Sequence, residues 1–312
     1  MSKINNYSIG VDIGGSNIKF VLLKNQEILK KKKVPTPKTK KEIISKIKEN
    51  IKCLTYGVKQ KEIKGIGIAA LGPLNKKGDF ILNPPNLKAL KNCPLARILK
   101  KDFKHLPIVL ENDANCFTLA EALIGEGKTA SRLRRGSPIR AAIIFGITLG
   151  SGVGGGIVVN GKIYRGAFGG AGEVGHMTIK FDGQKCSCGN WGCLEEYCSM
   201  KFFKRKKVLP RELEERIKKG EKTALKIFEE YGENLGIGLS NIINILDPEI
   251  IVIGGGISRA SKFFLPATKK EIKKRVISPL SKKCVKIRIT KLGDFSGAIG
   301  AALLVKKLTA TA

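Results

Sequence analysis

Residues 7–23 read YSIGVDIGGSNIKFVLL, and residues 141–159 read AAIIFGITLGSGVGGGIVV. Each is an apolar run that ends in glycines and a hydroxyl residue, then turns straight back into a second apolar run. Short β-prone runs on either side of a Gly-rich turn predict a hairpin. The first copy gives strands at 7–13 and 18–23, and a third strand at 27–34 completes an antiparallel meander stopped by Pro35 and Pro37. The second gives a strand at 141–149, a glycine turn at 150–156 and a strand at 157–159. One theme used twice in a chain of 312 residues predicts two related α/β domains with a cleft between them.

Working outward, Ile43, Ile44, Ile47, Ile51 and Leu54 recur at helical spacing over 41–54. Strands are predicted at 63–70 and 106–110, a loop at 71–90, and a helix over 113–124 that starts directly after the second strand. In the other half, 201–222 is charged with weak helical periodicity, and 224–245 is a long amphipathic helix ended by Asp247 and Pro248. A strand at 250–253 runs into three glycines, Ser258 opens a further helix, 285–290 is a strand, and 296–307 is a closing helix. The expected division is 1–118 together with 296–312 for a small domain, and 119–295 for a large one.

The hydrophobic content of 42% suits a globular protein, and 6% aromatic residues argue against a stacking platform for single-stranded nucleic acid. The formal charge of +32 is unusual, with basic runs at 30–33, 132–135, 204–207 and 273–275. A basic surface attracts phosphate without regard to sequence. These lysines, however, are scattered through every segment, with neither a basic helix on heptads nor interleaved aromatics. They read as a solvated surface that helps to draw in anionic nucleotides rather than as a specific nucleic-acid site. The longest uncharged run is interrupted by glycines and predicts no membrane span. Clustered thiols without a secretory signal predict a reducing, cytoplasmic setting.

Residues 175–196 read GHMTIKFDGQKCSCGNWGCLEE. His176, Cys186, Cys188 and Cys193 form a Cys3His set, and zinc closes such tetrahedral sites. The alternative is a loop of buried thiols. Two carboxylates flank the set, Glu173 and Glu195, and a structural metal would hold them still.

Three glycine-rich strand ends are candidate nucleotide contacts. Asp12, Gly14, Gly15, Ser16 and Asn17 offer backbone N–H groups and a hydroxyl to phosphate, with Asp12 able to hold Mg²⁺ through water. Thr148, Gly150, Ser151 and Gly152 offer a second phosphate turn, and Gly254, Gly255 and Gly256 let an adenosine lie against the backbone. Taken singly, each is also an ordinary turn. Glu111-Asn-Asp-Ala-Asn115 lies at a strand-to-helix junction. There Asp113 is either a helix-capping carboxylate or a general base for phosphoryl transfer to an alcohol.

DIGGS, ENDAN, TLGSGVGGG, GEVGH with CSCGNWGC, and IVIGGGIS, in this order, resemble the ROK family of sugar kinases and sugar-responsive repressors. The resemblance runs from Asp12 to Gly300. It implies an actin-like, hexokinase-like (ribonuclease H-like) two-domain α/β fold with an interdomain cleft and a structural zinc loop. It implies ATP, Mg²⁺ and structural Zn²⁺ as cofactors, a small-molecule sugar as substrate, and a homodimer or higher homo-oligomer. By the same resemblance Asp113 is the base, and Asn112, Glu173, His176, Glu195, Gly72 and Asn86 contact the sugar. Ser16 and Ser151 stand where threonine is more usual. The implied reaction is glucose to glucose 6-phosphate. An N-acetylhexosamine kinase (N-acetylglucosamine or N-acetylmannosamine), a fructokinase and a non-catalytic sugar-sensing regulator remain as alternatives, and polyphosphate remains open as donor. Only eleven residues precede Asp12, which leads us to expect no DNA-binding domain and favours the kinase.

Overall fold

A computed structural model describes residues 5–75, 77–84, 87–128 and 142–308, with side chains as far as Val305. Asn86 and the basic run 132–135 lie outside the described residues. The chain divides into two compact units, Met1–Gly125 with Gly166–Gly169 and Leu292–Ala312, and Glu126–Arg165 with Gly170–Lys291.

The first unit opens with β1 (Tyr7–Ile13), β2 (Asn17–Lys24) and β3 (Glu27–Pro35), the expected meander. It continues with α1 (Lys40–Thr55), β4 (Ile63–Ala70), α2 (Leu95–Lys100), β5 (Ile108–Asn112) and α3 (Asp113–Leu123). Helix α3 lies whole in this unit, whereas the expected boundary at 118 ran through its middle. The sheet order is β3-β2-β1-β4-β5. β1 pairs antiparallel with β2 and parallel with β4, which in turn pairs parallel with β5. Thr39 and Glu42 form a capping box at the start of α1, and Ile43, Ile47, Ile51 and Leu54 are buried on one stripe. Each fully buried aliphatic side chain stabilises by roughly 1.5–3 kcal/mol.

β3 is an exposed edge, and its lysines guard it against pairing with another chain. They also have local work. Lys30 Nζ donates to Leu54 O at 3.2 Å near the end of α1, Lys31 lies 5.4 Å from the Phe295 ring centroid, and Lys33 pairs with Asp294 at 3.4 Å. This run is therefore packing and edge protection, in line with the solvated-surface reading.

The second unit repeats the plan. β6 (Ile143–Leu149), β7 (Val153–Val159), β8 (Lys162–Ile163), β9 (Ile250–Gly254) and β10 (Lys286–Ile289) are ordered β10-β9-β6-β7-β8. The central strand β6 again has an antiparallel partner, β7, on one side and a parallel one, β9, on the other. β7 begins four residues earlier than the expected 157, so the glycine turn is confined to 150–152. Its helices are α4 (Leu194–Cys198), α5 (Met200–Arg205), α6 (Pro210–Lys218), α7 (Lys222–Leu246), α8 (Ser261–Arg275) and α9 (Pro279–Cys284). A short 3-10 turn over Gly256–Ala260 precedes α8, so the helix expected from Ser258 starts at Ser261. The charged stretch 204–222 is a pair of helices broken near Lys207, where φ is 53°. Its charges pair locally, Lys206 with Glu230 and Arg216 with Glu221. Beneath it Phe203 stacks on Tyr231 at 5.1 Å between centroids, and the Tyr231 hydroxyl donates to Cys198 O at 2.8 Å.

The chain then returns to the first unit as α10 (Ser296–Leu308), which packs on β1, β4 and α3. Gly10 and Gly67 make this approach possible, because a Cβ at either would fall on the carbonyls of Ala298 and Ala301.

Candidate active site

In the first unit the register decides where the chemistry sits. Ile13, Ala70 and Asn112 end β1, β4 and β5 in one row. Gly14 to Ser16, Gly72 and Asp113 follow them and therefore emerge from one edge, the carboxyl end of three parallel strands. Open α/β sheets bind ligands at that edge. Strands are about 4.8 Å apart, so Asp113 starts roughly 10 Å across the sheet from the first glycine turn.

That turn is pinned from outside. Thr36, which sequence reasoning did not single out, donates its hydroxyl to Gly14 O at 2.7 Å and its N–H to Ser16 O at 3.0 Å. Gly14 N donates to Asn17 O at 3.0 Å, while Gly15 and Ser16 are exposed. Asp12 is buried directly opposite Lys19 in the β1–β2 ladder, and Lys19 Nζ reaches Oδ2 at 3.1 Å. Burial pushes the Asp12 carboxyl above its ordinary pKa, with Lys19 pulling the other way. A Cβ on Gly297, in the first turn of α10, would lie 3.0 Å from Asp12 Cγ, so the carboxylate faces a helix N-terminus. A lone buried carboxylate with one oxygen already engaged fits a Mg²⁺ ion that keeps its waters.

At the β5–α3 junction the cap is Asn112, not Asp113. Asn112 Oδ1 accepts from Ala114 N at 2.9 Å and Asn115 N at 3.2 Å. Its amide group lies beside Gly72, where a Cβ would come 3.0 Å from Nδ2. Asp113 is the first helical residue, half-buried, and its Oδ1 accepts from Ala114 N at 3.0 Å. Glu111, also not anticipated, is 5% exposed and its Oε1 accepts from Asn112 N at 2.9 Å and Asn115 Nδ2 at 3.0 Å. It ties the first, second and last residues of ENDAN into one rigid unit. The sequence signal was a glutamate at an inward strand position.

In the second unit the β6–β7 turn is closed by Gly150 N donating to Gly152 O at 3.0 Å and anchored by Met200 N donating to Gly150 O at 2.8 Å. Ser151 is exposed at its tip. Thr148 lies opposite Gly254 in the β6–β9 ladder, so the β6–β7 turn, the second candidate phosphate contact, and the third glycine cluster share one sheet edge. Gly255 has φ 86°, and a Cβ there would strike the backbone of Leu149. By contrast a Cβ on Gly150 or Gly256 meets nothing within 4 Å, so packing does not demand glycine at either.

Two other glycines lack room for a side chain. A Cβ on Gly155, inside β7, would collide with Gly172 O, and one on Gly175, beyond it, with Val153 O. Their absence lets the segment carrying Glu173 and His176 lie flat on β7, next to the phosphate turn. Glu173 is exposed and precedes a short 3-10 turn, Val174–His176.

His176, Cys186, Cys188 and Cys193 converge, their ligand atoms all within 4.8 Å of one another. Cys188 Sγ and Cys193 Sγ are 3.7 Å apart, and His176 Nδ1 is 3.8 Å from Cys186 Sγ. Two sulfurs at 2.3 Å from a tetrahedral ion are about 3.8 Å apart, so the cluster fits zinc. Burial, ahead of the neighbouring thiols, pushes the Cys193 thiol up to about 12, and backbone donation from Asn190 holds Cys188 below its ordinary value. Trp191 is half-exposed with Lys185 over its ring.

Glu195 sits at the meeting point. Its Oε2 accepts from Val153 N at 3.1 Å, just past the phosphate turn, and its Oε1 accepts from Lys201 Nζ at 2.8 Å. Lys201 also donates to Glu196 at 2.7 Å. Burial disfavours its charge, but these two carboxylates win and hold its pKa above the ordinary lysine value.

The ROK family profile matches residues 8–308. The chain is 34% identical to a xylose repressor of Caldicellulosiruptor bescii, over 78% of this chain and 63% of that protein's length. It is 30% identical to a glucokinase of Streptomyces coelicolor, over 96% and 98%. It is 33% identical to an N-acetyl-D-glucosamine kinase of Vibrio cholerae, over 95% and 98%. Of solved structures, a ROK hexokinase from Thermus thermophilus aligns with TM-score 0.80 at 27% identity, covering 98% of this chain and all of that one. A ROK family glucokinase from Streptomyces griseus, in complex with glucose and AMPPNP, aligns with TM-score 0.78 at 28% identity, covering 97% and 100%. The two-sheet α/β architecture is thus the hexokinase-like one anticipated.

Proposed function

The chain belongs to the ROK family, and on that premise we propose that it is an ATP-dependent sugar kinase whose acceptor is a hexose, glucose before others. The observation that carries this reading is the row Ile13, Ala70 and Asn112, which puts Asp113 on the same strand-end edge as the first glycine turn. Asn112 is the residue that caps α3, accepting from two N–H groups, and Asp113 shares only the first of them, through Oδ1 at 3.0 Å. A half-buried carboxylate at the strand-end edge that is not the principal cap suits a general base.

In this mechanism Asp113 accepts the proton of the sugar hydroxyl, taken as the one on C6, as that oxygen attacks the γ-phosphorus and the bond from that phosphorus to the β–γ bridging oxygen breaks, releasing ADP. Asn112 has its Oδ1 engaged in the cap, so its amide N–H groups donate to a neighbouring hydroxyl. Glu173 and Glu195 accept hydroxyl hydrogens. His176 presents Nδ1 to the thiols, which leaves Nε2 for the sugar. Gly72 leaves room beside Asn112, and Asn86 is carried over from the family pattern alone. Backbone N–H groups at Gly14, Gly15, Ser16 and Asn17, and at Gly150, Ser151 and Gly152, cradle phosphate. Thr148 flanks the second cradle, and Gly254, Gly255 and Gly256 accommodate adenosine. Glycine at 150 and 256, where packing does not require it, supports a ligand lying against bare backbone. Mg²⁺, which Asp12 would hold through water, supplies neutralisation of phosphate charge. Zinc on His176, Cys186, Cys188 and Cys193 is structural.

The similarity to an N-acetyl-D-glucosamine kinase supports a second acceptor class, because the same Asn and Glu groups select hydroxyls by small displacements. The similarity to a xylose repressor keeps a sugar sensor as the non-enzymatic alternative. A coupled ADP-release assay across hexoses and N-acetylhexosamines separates all three. We expect glucose to give the highest kcat/KM. An N-acetylhexosamine maximum replaces the substrate, and calorimetric sugar binding without ADP release replaces the kinase by the sensor.

A further inference from the structure

We infer that Lys201 is a positioning residue for Glu195 and, through it, for the turn that precedes Val153; the inference rests on the kinase reading for what Glu195 does. Lys201 Nζ touches three residues on two separate segments of the second unit. It lies 2.8 Å from Glu195 Oε1, 2.7 Å from Glu196 Oε1 and 3.4 Å from Ser187 Oγ, between two of the metal-loop cysteines. Its backbone is fixed by Ser199, whose buried hydroxyl accepts from Lys201 N at 3.2 Å at the start of α5. Glu196, itself buried, is held from the far side by Arg205 Nη1 at 3.1 Å and by Arg205 Nη2 on its backbone carbonyl. The order is carboxylate, ammonium, carboxylate, guanidinium, with no net charge.

The geometry gives Lys201 a task that packing alone does not. Carboxylate oxygens of Glu195 and Glu196 lie within 4.8 Å of each other and of Cys186 Sγ. Two carboxylates this close repel unless a cation lies between them. Removing one partner of a part-buried charge network leaves the others uncompensated. Without Nζ, Glu195 would swing away from Glu196, dropping the bond from Val153 N at 3.1 Å and carrying its carboxylate off the position assigned to a sugar hydroxyl. Arg205 remains on Glu196, so Glu195 is the group set loose.

The test is a double-mutant cycle on full-length protein with kcat, sugar KM and zinc content measured together. Lys201→Met should raise sugar KM by about tenfold or more while kcat changes less than about threefold and zinc content is kept. Lys201→Arg should return KM to within about threefold, which a purely packing role would not do. In a Glu195→Gln background, Lys201→Met should add less than about twofold, because the residue it positions is gone. An unchanged KM in Lys201→Met, or effects that multiply in full, overturns the inference. Absence of turnover by the wild type overturns the kinase reading instead; the cycle is then scored, by the same criteria, on calorimetric sugar affinity.

Discussion

Asp113 and Asp12 stand on one sheet edge in opposite surroundings. Asp113 is half-buried and spends one oxygen on its neighbour's N–H at 3.0 Å. Asn keeps an acceptor at that position, so Asp113→Asn retains the local bond and loses only charge near a helix N-terminus, a matter of about 0.3–1 kcal/mol. Stability should barely move. In the proposed mechanism, however, the substitution removes the base, and a general base contributes on the order of 10²–10⁴-fold. We expect Asp113→Asn to bind sugar by calorimetry with near-native affinity and to lose kcat by at least about a hundredfold; a variant that turns over normally removes Asp113 from the mechanism. Asp12 is the costlier group. Its folded pKa is raised chiefly by burial, so the fold binds its proton more tightly than the unfolded chain does. Its contribution therefore favours folding at acid pH and is lost as pH climbs through the folded value. At neutral pH it is a liability that Lys19 offsets in part.

At the scale of elements, the sequence made the hairpins, the helices and the metal cluster legible because each announces itself locally, by period, by glycine or by ligand spacing. What it hid was contact across the chain. Gly155 of β7 reads as part of a loop because its reason, the carbonyl of Gly172 and the side chain of Val174 lying against it, is distant in sequence. Thr36 on the first turn, Glu111 beneath ENDAN and Lys201 between two glutamates were unmarked for the same reason: a residue that positions another has no spacing signature. ENDAN was legible as a strand-to-helix junction, but the cap is Asn112 and not the Asp113 that the sequence offered. The metal loop joins these levels. Without an ion, the segment 183–193 is held by short backbone bonds such as Cys186 N to Asn190 O at 2.7 Å and Ile179 N to Gly192 O at 2.8 Å. Cys188 is exposed, so Cys188→Ser leaves no cavity and tests the metal alone. Elemental analysis should show zinc lost, Tm should fall by roughly 5 °C or more, equivalent to about 2 kcal/mol in a unit of this size, and sugar KM should rise because His176 and Glu195 flank the loop. Cys53→Ser, at another exposed thiol, should do none of this. Zinc-free wild-type protein of full stability would remove the structural-metal reading.

For the molecule as a whole, the same five-strand plan serves both units, and the net charge of +32 comes from lysines and arginines spread along the sequence of both. Among the described residues the basic runs resolve into local duties: β3 protects an edge, α5 and α6 pair with Glu196, Glu230 and Glu221, and Arg275 pairs with Glu271. No helix among the described residues is long and apolar enough to cross a membrane. A diffuse positive field has one functional consequence that differs between two substrates. It attracts a nucleotide polyanion and ignores a neutral sugar. Salt shortens the reach of the field, from about 30 Å at 0.01 M to about 8 Å at 0.15 M. Raising ionic strength across that range should therefore lower kcat/KM for ATP several-fold while sugar KM stays within about twofold. Duplex DNA retained at low salt should be released over the same interval, because contacts made by scattered lysines are counterion-dependent and carry no base readout. A sequence-selective DNA complex that survives 0.15 M salt, or an ATP dependence that is flat, would show that the charge is organised for a partner rather than spread for solvation.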